Sequence, residues 1–148
     1  MISAWLGVLL WLGVSAPALA AQACAPIDAP AVAELFDHWN TALRSGEPAQ
    51  VTSLYSSDAL LLPTLSAEPR TTPDGIRNYF EGFLAGGPQG RIERRSIQLG
   101  CNEAMDAGTY SFRFADGHVV QARYTFVYVF SEGRWQIQHH HSSLVPDA

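Results

Sequence analysis

The apolar residues of this chain change their spacing once, near residue 91. Before that point they recur every three or four residues, which is typical of helices that bury one side. After it they alternate with polar residues, which is typical of β-strands. A chain whose helices precede a run of strands is expected to form an α+β domain, with the helices covering one face of a mainly antiparallel sheet.

Two segments of the first part have strong helix signals. "DAPAVAELFDHWNTALRSG" has a proline in its first turn, Gly46 after its last, and one apolar stripe of Val32, Leu35, Phe36, Trp39 and Leu43. The second helix is predicted over 73–85, with Thr72 as its N-cap. A short helical piece around 48–56 and a strand at 59–63 are predicted between them.

The second part predicts four strands, at 91–100, 107–115, 118–130 and 134–144. The dipeptides Asp116-Gly117 and Glu132-Gly133 are interpreted as two-residue hairpin turns. The register then follows because side chains alternate between the faces. One face collects Tyr124, Phe126, Tyr128, Phe130, Trp135, Ile137, His139 and His141. The other collects Tyr110, Phe112, Phe114, Arg123, Thr125, Val127, Val129, Gln136, Gln138, His140 and Ser142.

Each face of this predicted sheet carries apolar residues. The aromatic face is expected to pack against the helices that carry Trp39 and Phe80. The other face mixes apolar residues with glutamine, threonine and arginine, a composition that suits a contact between subunits. A homodimer or higher homo-oligomer is therefore predicted.

Three consecutive histidines occur in "WQIQHHHSS", residues 135–143. Alternation predicts that His139 and His141 point inward beside Tyr124 and Phe126, and that His140 points outward. The inward pair is open to two interpretations: core histidines hydrogen-bonded to tyrosine hydroxyls, or contacts to a small ligand in a pocket. No metal site is predicted, because zinc needs a third protein ligand at a suitable position.

The N-terminus has the features of an export signal. No charged side chain precedes Asp28, and an apolar stretch leads to Ala18-Leu19-Ala20, a small-x-small cleavage pattern. We predict a signal peptide at 1–20, an N-terminal segment at 21–28 and one domain at 29–147. Cleavage after Ala23 and retention as a membrane anchor are the alternatives. The cleaved protein is expected to be periplasmic or secreted, without a membrane segment.

The two cysteines, Cys24 and Cys101, both lie in the exported part. A disulfide between them is expected in an oxidising compartment, two unrelated thiols being the alternative. The net charge of −5 and the scattered arginines argue against a nucleic-acid partner.

Several stretches resemble a known family, among them "LLPTLSAEPRTTPDGIRNYFEGFL", "GCNEAMDAGTYSF", "ARYTFVYVF" and "GRWQIQHHHSSLVP". Over about 29–147 the chain resembles the NTF2-like superfamily and, within it, the association (hub) domain of calcium/calmodulin-dependent protein kinase II. The resemblance implies a cone-shaped fold, with N-terminal helices packed on a strongly curved sheet around a deep pocket. It also implies subunit assembly without kinase activity, since the sequence has no Gly-rich loop, V-A-I-K, H-R-D or D-F-G motif.

The resemblance also implies a pocket lined by arginines that suit small anions. Ser142 and Phe126 stand where the family has two of these arginines, so the charge for an anion would come from Arg70 and Arg123. The pocket residues predicted in all are His139, His141, Tyr124, Phe126, Tyr128, Trp39, Arg70 and Arg123. The sequence carries no motif for a nucleotide, flavin or haem cofactor.

The sequence is compatible with two functions. The first is an exported, oligomerising module with a pocket for a small molecule, an anion being one option. The second is an enzyme, similar to SnoaL-like or ketosteroid-isomerase-like isomerases, cyclases and dehydratases, that uses a pocket His or Asp as general acid–base. The acids available are Asp37, Asp58, Glu68 and Asp106, of which Asp58, at the start of a strand, is the best placed.

Overall fold

The computed structural model describes residues 23–146. Its elements are α1 (Ala29–Ser45), α2 (Pro48–Thr52), β1 (Tyr55–Leu62), α3 (Pro73–Leu84), β2 (Gln89–Leu99), β3 (Glu103–Arg113), β4 (Val119–Ser131) and β5 (Arg134–Leu144). The predicted order of helices and strands is confirmed. The predicted signal peptide lies outside the described residues. Between 23 and 146, no helix is both long and apolar enough to cross a membrane.

Local signals fix the ends of the two long helices. The side chain of Asp28 accepts a hydrogen bond from the Ala31 N–H and so caps α1. Thr72 caps α3 in the same way, by accepting from the Gly75 N–H. Gly46 ends α1 in the left-handed region, with a φ of 72°, which glycine adopts without strain.

The five strands form one curled, unclosed sheet in the order β1-β5-β4-β3-β2. β1 pairs with β5 in parallel, and the other three pairs are antiparallel. The apolar stripe of α1 is buried against the inner face of this sheet. The predicted α+β class and mainly antiparallel sheet are confirmed.

The first predicted turn is wrong. Phe114 donates its N–H to the carbonyl of His118, and Gly117 has a φ of 91°, so the loop contains three residues, 115–117. The one extra residue shifts the register between β3 and β4. Tyr110, for example, lies opposite Ala122. Tyr110, Phe112 and Phe114 therefore join Tyr124 and Phe126 on the inner face, where the prediction had separated them.

The second predicted turn is confirmed, because Ser131 pairs with Arg134 around Glu132 and Gly133. Both loop residues have positive φ, at 53° and 77°, as a type I′ turn requires. Further along, Tyr128 pairs with Ile137 while Val127 pairs with His139. Gln138 is thus an extra residue, a β-bulge that reverses the faces of every side chain after it.

A disulfide joins Cys24 to Cys101. Beside it the Ala25 N–H donates to the Asn102 side chain at 2.7 Å. The N-terminal segment is therefore fixed to the turn between β2 and β3.

Candidate functional site

His140 lies beneath the helices, with only 3 % of its surface exposed. Its ring stacks on Phe126, with centroids 3.9 Å apart, and meets the edge of Trp39 at 5.3 Å. The predicted orientations were therefore wrong for all three histidines. Because of the Gln138 bulge, His139 and His141 lie on the outer face, where His139 is partly buried and His141 is exposed.

Both ring nitrogens of His140 have hydrogen-bond partners. The Trp39 Nε1–H donates to the Tyr55 hydroxyl at 3.1 Å, and this hydroxyl lies 2.9 Å from His140 Nδ1. Since the Tyr55 oxygen accepts from Trp39, its own hydrogen is free for Nδ1. Nδ1 is then the acceptor, and the neutral ring carries its proton on Nε2.

The hydrogen bonds continue from the other side of the ring. Nε2 of His140 lies 3.4 Å from the Tyr110 hydroxyl, which donates to Ser142 Oγ at 2.5 Å. Ser142 Oγ is in turn hydrogen-bonded to Thr64 Oγ1. We call this set, Trp39, Tyr55, His140, Tyr110, Ser142 and Thr64, the relay. Followed in one direction, it begins at an indole that can only donate and ends at the Thr64 hydroxyl.

Burial sets the protonation state of His140. It lowers the pKa of the imidazole to about 3, because a charged ring would lose its hydration. The ring is therefore neutral at physiological pH. Burial also raises the pKa of the Tyr110 phenol. The relay is consequently an uncharged array of directed hydrogen bonds.

A small cavity adjoins the end of the relay. Its volume is about 20 Å³, which is room for about one water molecule. Polar atoms come from Thr64, Tyr110, His140 and Ser142. The apolar part of the wall consists of Trp39, Leu61, Pro63, Leu65, Tyr79, Phe80, Phe83, Phe112, Phe114 and Val120.

The other predicted pocket residues lie elsewhere, apart from Trp39. Tyr124, Phe126 and Tyr128 are buried in the core but do not line this cavity. Arg123 is exposed and directs its guanidinium to the Leu144 carbonyl at 3.5 Å. Arg70 pairs through its backbone with Leu61 and donates to Ser66. Neither arginine lines the cavity, so the charge predicted for an anion does not lie in its wall.

The acid that the sequence favours for general acid–base chemistry does not lie in the interior. Asp58 is exposed, whereas Asp106 is completely buried on β3. Tyr124 donates to its carboxylate at 2.8 Å and Arg95 at 3.1 Å. The signal was present in the period-two pattern, which places Asp106 in phase with Tyr110. Within 23–146, no group of three His, Cys, Asp or Glu side chains could hold a metal ion.

Helices packed on a curled, mainly antiparallel sheet of five strands are the architecture of the NTF2-like class of proteins. Residues 28–146 match the family model for the calcium/calmodulin-dependent protein kinase II association domain. The chain belongs to this family. A Xanthomonas campestris structure, described as a candidate domain of the same family, is 44 % identical and has a TM-score of 0.78. The match covers 91 % of this chain and 100 % of that chain.

Two further solved structures share the fold at lower identity. An NTF2-like protein of unknown function from Pseudomonas putida is 17 % identical over 78 % of this chain and 85 % of that chain, with a TM-score of 0.70. The iota-carbonic anhydrase from a cyanobacterium, complexed with bicarbonate, is 21 % identical over 82 % of this chain and 94 % of that chain, with a TM-score of 0.71. No curated protein matches this chain at a significant level.

Proposed function

We propose that this protein interconverts carbon dioxide and bicarbonate in the cavity at the end of the relay. The observation that carries the proposal is the directed chain of hydrogen bonds from Trp39 to Thr64, which ends where the cavity begins. The shared fold of a carbonic anhydrase complexed with bicarbonate supports it.

The size of the cavity favours a substrate of very few atoms. A space of about 20 Å³ is far below the several hundred Å³ of an ordinary small-molecule pocket. Steroid-like or polyketide substrates of isomerases, cyclases and dehydratases would need most of the aromatic wall to move. Carbon dioxide, water and bicarbonate have at most four heavy atoms and therefore need the least displacement of the wall, in which Leu65 is 56 % exposed.

The reaction needs a donor for the oxygen that gains negative charge and an acceptor for the proton that the attacking water loses; here the acceptor is solvent. A water oxygen forms a bond to the carbon of carbon dioxide, one C=O bond becomes a C–O⁻, and a proton passes to solvent. Ser142 Oγ receives the Tyr110 hydrogen and is also hydrogen-bonded to Thr64 Oγ1, where either oxygen can be the donor. When Ser142 donates, the Thr64 hydrogen remains for a ligand. A donor held in this way stabilises the developing negative charge.

Carbonic anhydrases of other folds hold zinc through three histidines. His140 is the one residue in the cavity wall of a type that binds zinc, and both its ring nitrogens already have hydrogen-bond partners. The residues present therefore do not fit a zinc site, and no step is assigned to a metal.

Stopped-flow hydration of carbon dioxide, followed with a pH indicator on chelator-treated protein, tests the proposal. We expect a rate above the buffer background that falls at least tenfold in Tyr110→Phe and Thr64→Val. Ser56→Ala is the matched control, because it removes a buried hydroxyl outside the cavity. Background activity in the unmodified protein, or full activity in both cavity variants, would contradict the proposal.

We further propose that the protein is exported and assembles through the outer face of its sheet. The disulfide supports an oxidising compartment, and the family supports assembly. The outer face presents Thr125 and Val127, both partly buried, beside the exposed His141. Light scattering of the purified protein should show a dimer or larger assembly, which Val127→Glu should dissociate. A monomer at high concentration would contradict this proposal.

A further inference from the structure

A second group of buried polar side chains lies on the inner face of the sheet, outside the relay. It consists of Arg95 on β2, Asp106 on β3, and Tyr124 and Tyr128 on β4. Asp106 is completely buried and Tyr128 is 1 % exposed. Such groups are costly to bury unless each polar atom has a partner, so the pairing of each atom matters.

The pairing in this group is incomplete. Oδ1 of Asp106 accepts from the Tyr124 hydroxyl at 2.8 Å and from Arg95 Nε at 3.1 Å. Nε also lies 3.0 Å from Oδ2, but it carries a single hydrogen, which is directed to Oδ1. Three buried atoms of this group have no hydrogen-bond partner among residues 23–146: Asp106 Oδ2, Arg95 Nη2 and the Tyr128 hydroxyl.

Strand pairing makes Asp106 and Tyr128 neighbours on the inner face, and the Arg95 guanidinium contacts Asp106 there. Asp106 lies directly opposite Phe126, so Tyr128 is its diagonal neighbour on the same face. Burial raises the pKa of the Tyr128 phenol, and the negative charge of Asp106 raises it further. Tyr128 is thus within electrostatic range of the carboxylate.

A bulge places Arg95 beside the carboxylate. The register between β2 and β3 shifts between Ile92 and Arg94, which leaves Arg95 opposite Gly108. The Arg94 carbonyl comes so close to Gly108 that a Cβ there would lie 2.0 Å from its oxygen. The bulge and Gly108 together allow the Arg95 side chain to turn inward, where its guanidinium also lies 5.6 Å from the centre of the Phe36 ring.

We propose that Asp106, Arg95 and Tyr128 bind a single water molecule, at a site separate from the cavity of the relay. The water would donate to Asp106 Oδ2 and accept from Arg95 Nη2 and the Tyr128 hydroxyl. Three hydrogen bonds are typical of a buried water. The occupant is neutral, because the charges of Arg95 and Asp106 cancel and a bound anion or cation would meet a like charge.

Whether Tyr128→Phe lowers or raises the melting temperature tests the site. If Tyr128 donates to a bound water, Tyr128→Phe removes a hydrogen bond, and the melting temperature should fall by roughly 2–6 °C. If the hydroxyl is buried without a partner, the same substitution removes an unsatisfied group, and the melting temperature should stay equal or rise. Ser56→Ala is the comparison, since Ser56 Oγ is buried without a partner among the described residues and away from this cluster.

A crystal structure of the unmodified protein at atomic resolution provides the second measurement. We expect one water within hydrogen-bond distance of Asp106 Oδ2, Arg95 Nη2 and the Tyr128 hydroxyl. A site without that density, an ion in its place, or a Tyr128→Phe variant that melts no lower would each overturn the proposal. Neither measurement depends on the hydration of carbon dioxide, so the two proposals can fail separately.

Discussion

The hydroxyl of Tyr55 lies 2.9 Å from Nδ1 of His140, although the two residues are 85 positions apart. This contact joins β1 to β5, the parallel pair at the edge of the sheet. It also fixes which nitrogen of the buried ring carries the proton, and hence the direction of every hydrogen bond that follows. One contact therefore contributes both to the core and to the proposed site.

Tyr55→Phe should remove the hydrogen bond to His140 Nδ1 that keeps the proton of the ring on Nε2. Trp39 Nε1 and His140 Nδ1 would both lose a buried partner, so we expect a loss of about 1–3 kcal/mol in the free energy of unfolding. Nitrogen-15 NMR of the imidazole should change from the pure Nε2–H tautomer to a mixture. Tyr124→Phe is the control, because Tyr124 donates to Asp106 and does not line the cavity, and it should leave the tautomer unchanged.

The stability of the protein should depend on pH through His140. Its pKa is lowered from 6.5 to about 3 in the folded protein, so the unfolded chain takes up a proton in this range and the folded protein does not. Its contribution to stability is full above pH 6.5 and is lost as the pH falls toward 3. The slope should be about 1.4 kcal/mol per pH unit from this group alone.

Urea unfolding of His140→Phe and of the unmodified protein between pH 7 and pH 4 measures this slope. The variant should show a flatter dependence, whatever its absolute stability. His38→Asn is the control, because His38 is exposed on α1 and should leave the slope unchanged. Parallel curves for His140→Phe and the unmodified protein would show that the buried ring does not set the slope.

The flanking histidines should behave differently from the middle one. Replacing both His139 and His141 by alanine should change the free energy of unfolding by less than about 1 kcal/mol, because both rings lie on the outer face. His140→Ala should cost about 2–5 kcal/mol, since it leaves a cavity and removes partners of Tyr55 and Tyr110. Thermal melts compare the stabilities, and size-exclusion chromatography shows whether the outer pair affects association.

Two glycines should respond in opposite ways to alanine. At Gly108 a Cβ would collide with the Arg94 backbone, so Gly108→Ala should destabilise by about 2 kcal/mol or more. At Gly82, exposed on α3, a Cβ meets no atom within 4 Å, so Gly82→Ala should stabilise by roughly 0.5–1 kcal/mol. Equal effects at the two positions would contradict the close approach of β2 to β3.

The helices could be predicted from the sequence because their signals are local. Asp28 and Thr72 cap the helices, and Gly46 ends α1 in a conformation that glycine favours. The register of the sheet could not be predicted equally well. A loop of three residues instead of two, and the single bulged residue Gln138, each reverse a face without any change in the hydrophobic pattern.

Because the predicted register was wrong, the predicted orientations of the site residues were wrong as well. The alternation predicted that His139 and His141 point inward and His140 outward, and the bulge at Gln138 reverses all three. Tyr55 and Thr64 were missed because they come from β1 and from the loop after it, which the antiparallel pattern of the later strands does not address. Asp106 was missed because the mistaken register placed Tyr110, with which it is in phase, on the outer face.

The disulfide between Cys24 and Cys101 fixes the point at which a segment attached before residue 23 would join the domain. Cys101 precedes β3, and the aromatic wall of the cavity lies near the other end of that strand, at Phe112 and Phe114. Eleven residues of extended chain separate the two ends by about 35 Å. A tether ending at residue 23 would therefore join the domain about 35 Å from this wall of the cavity.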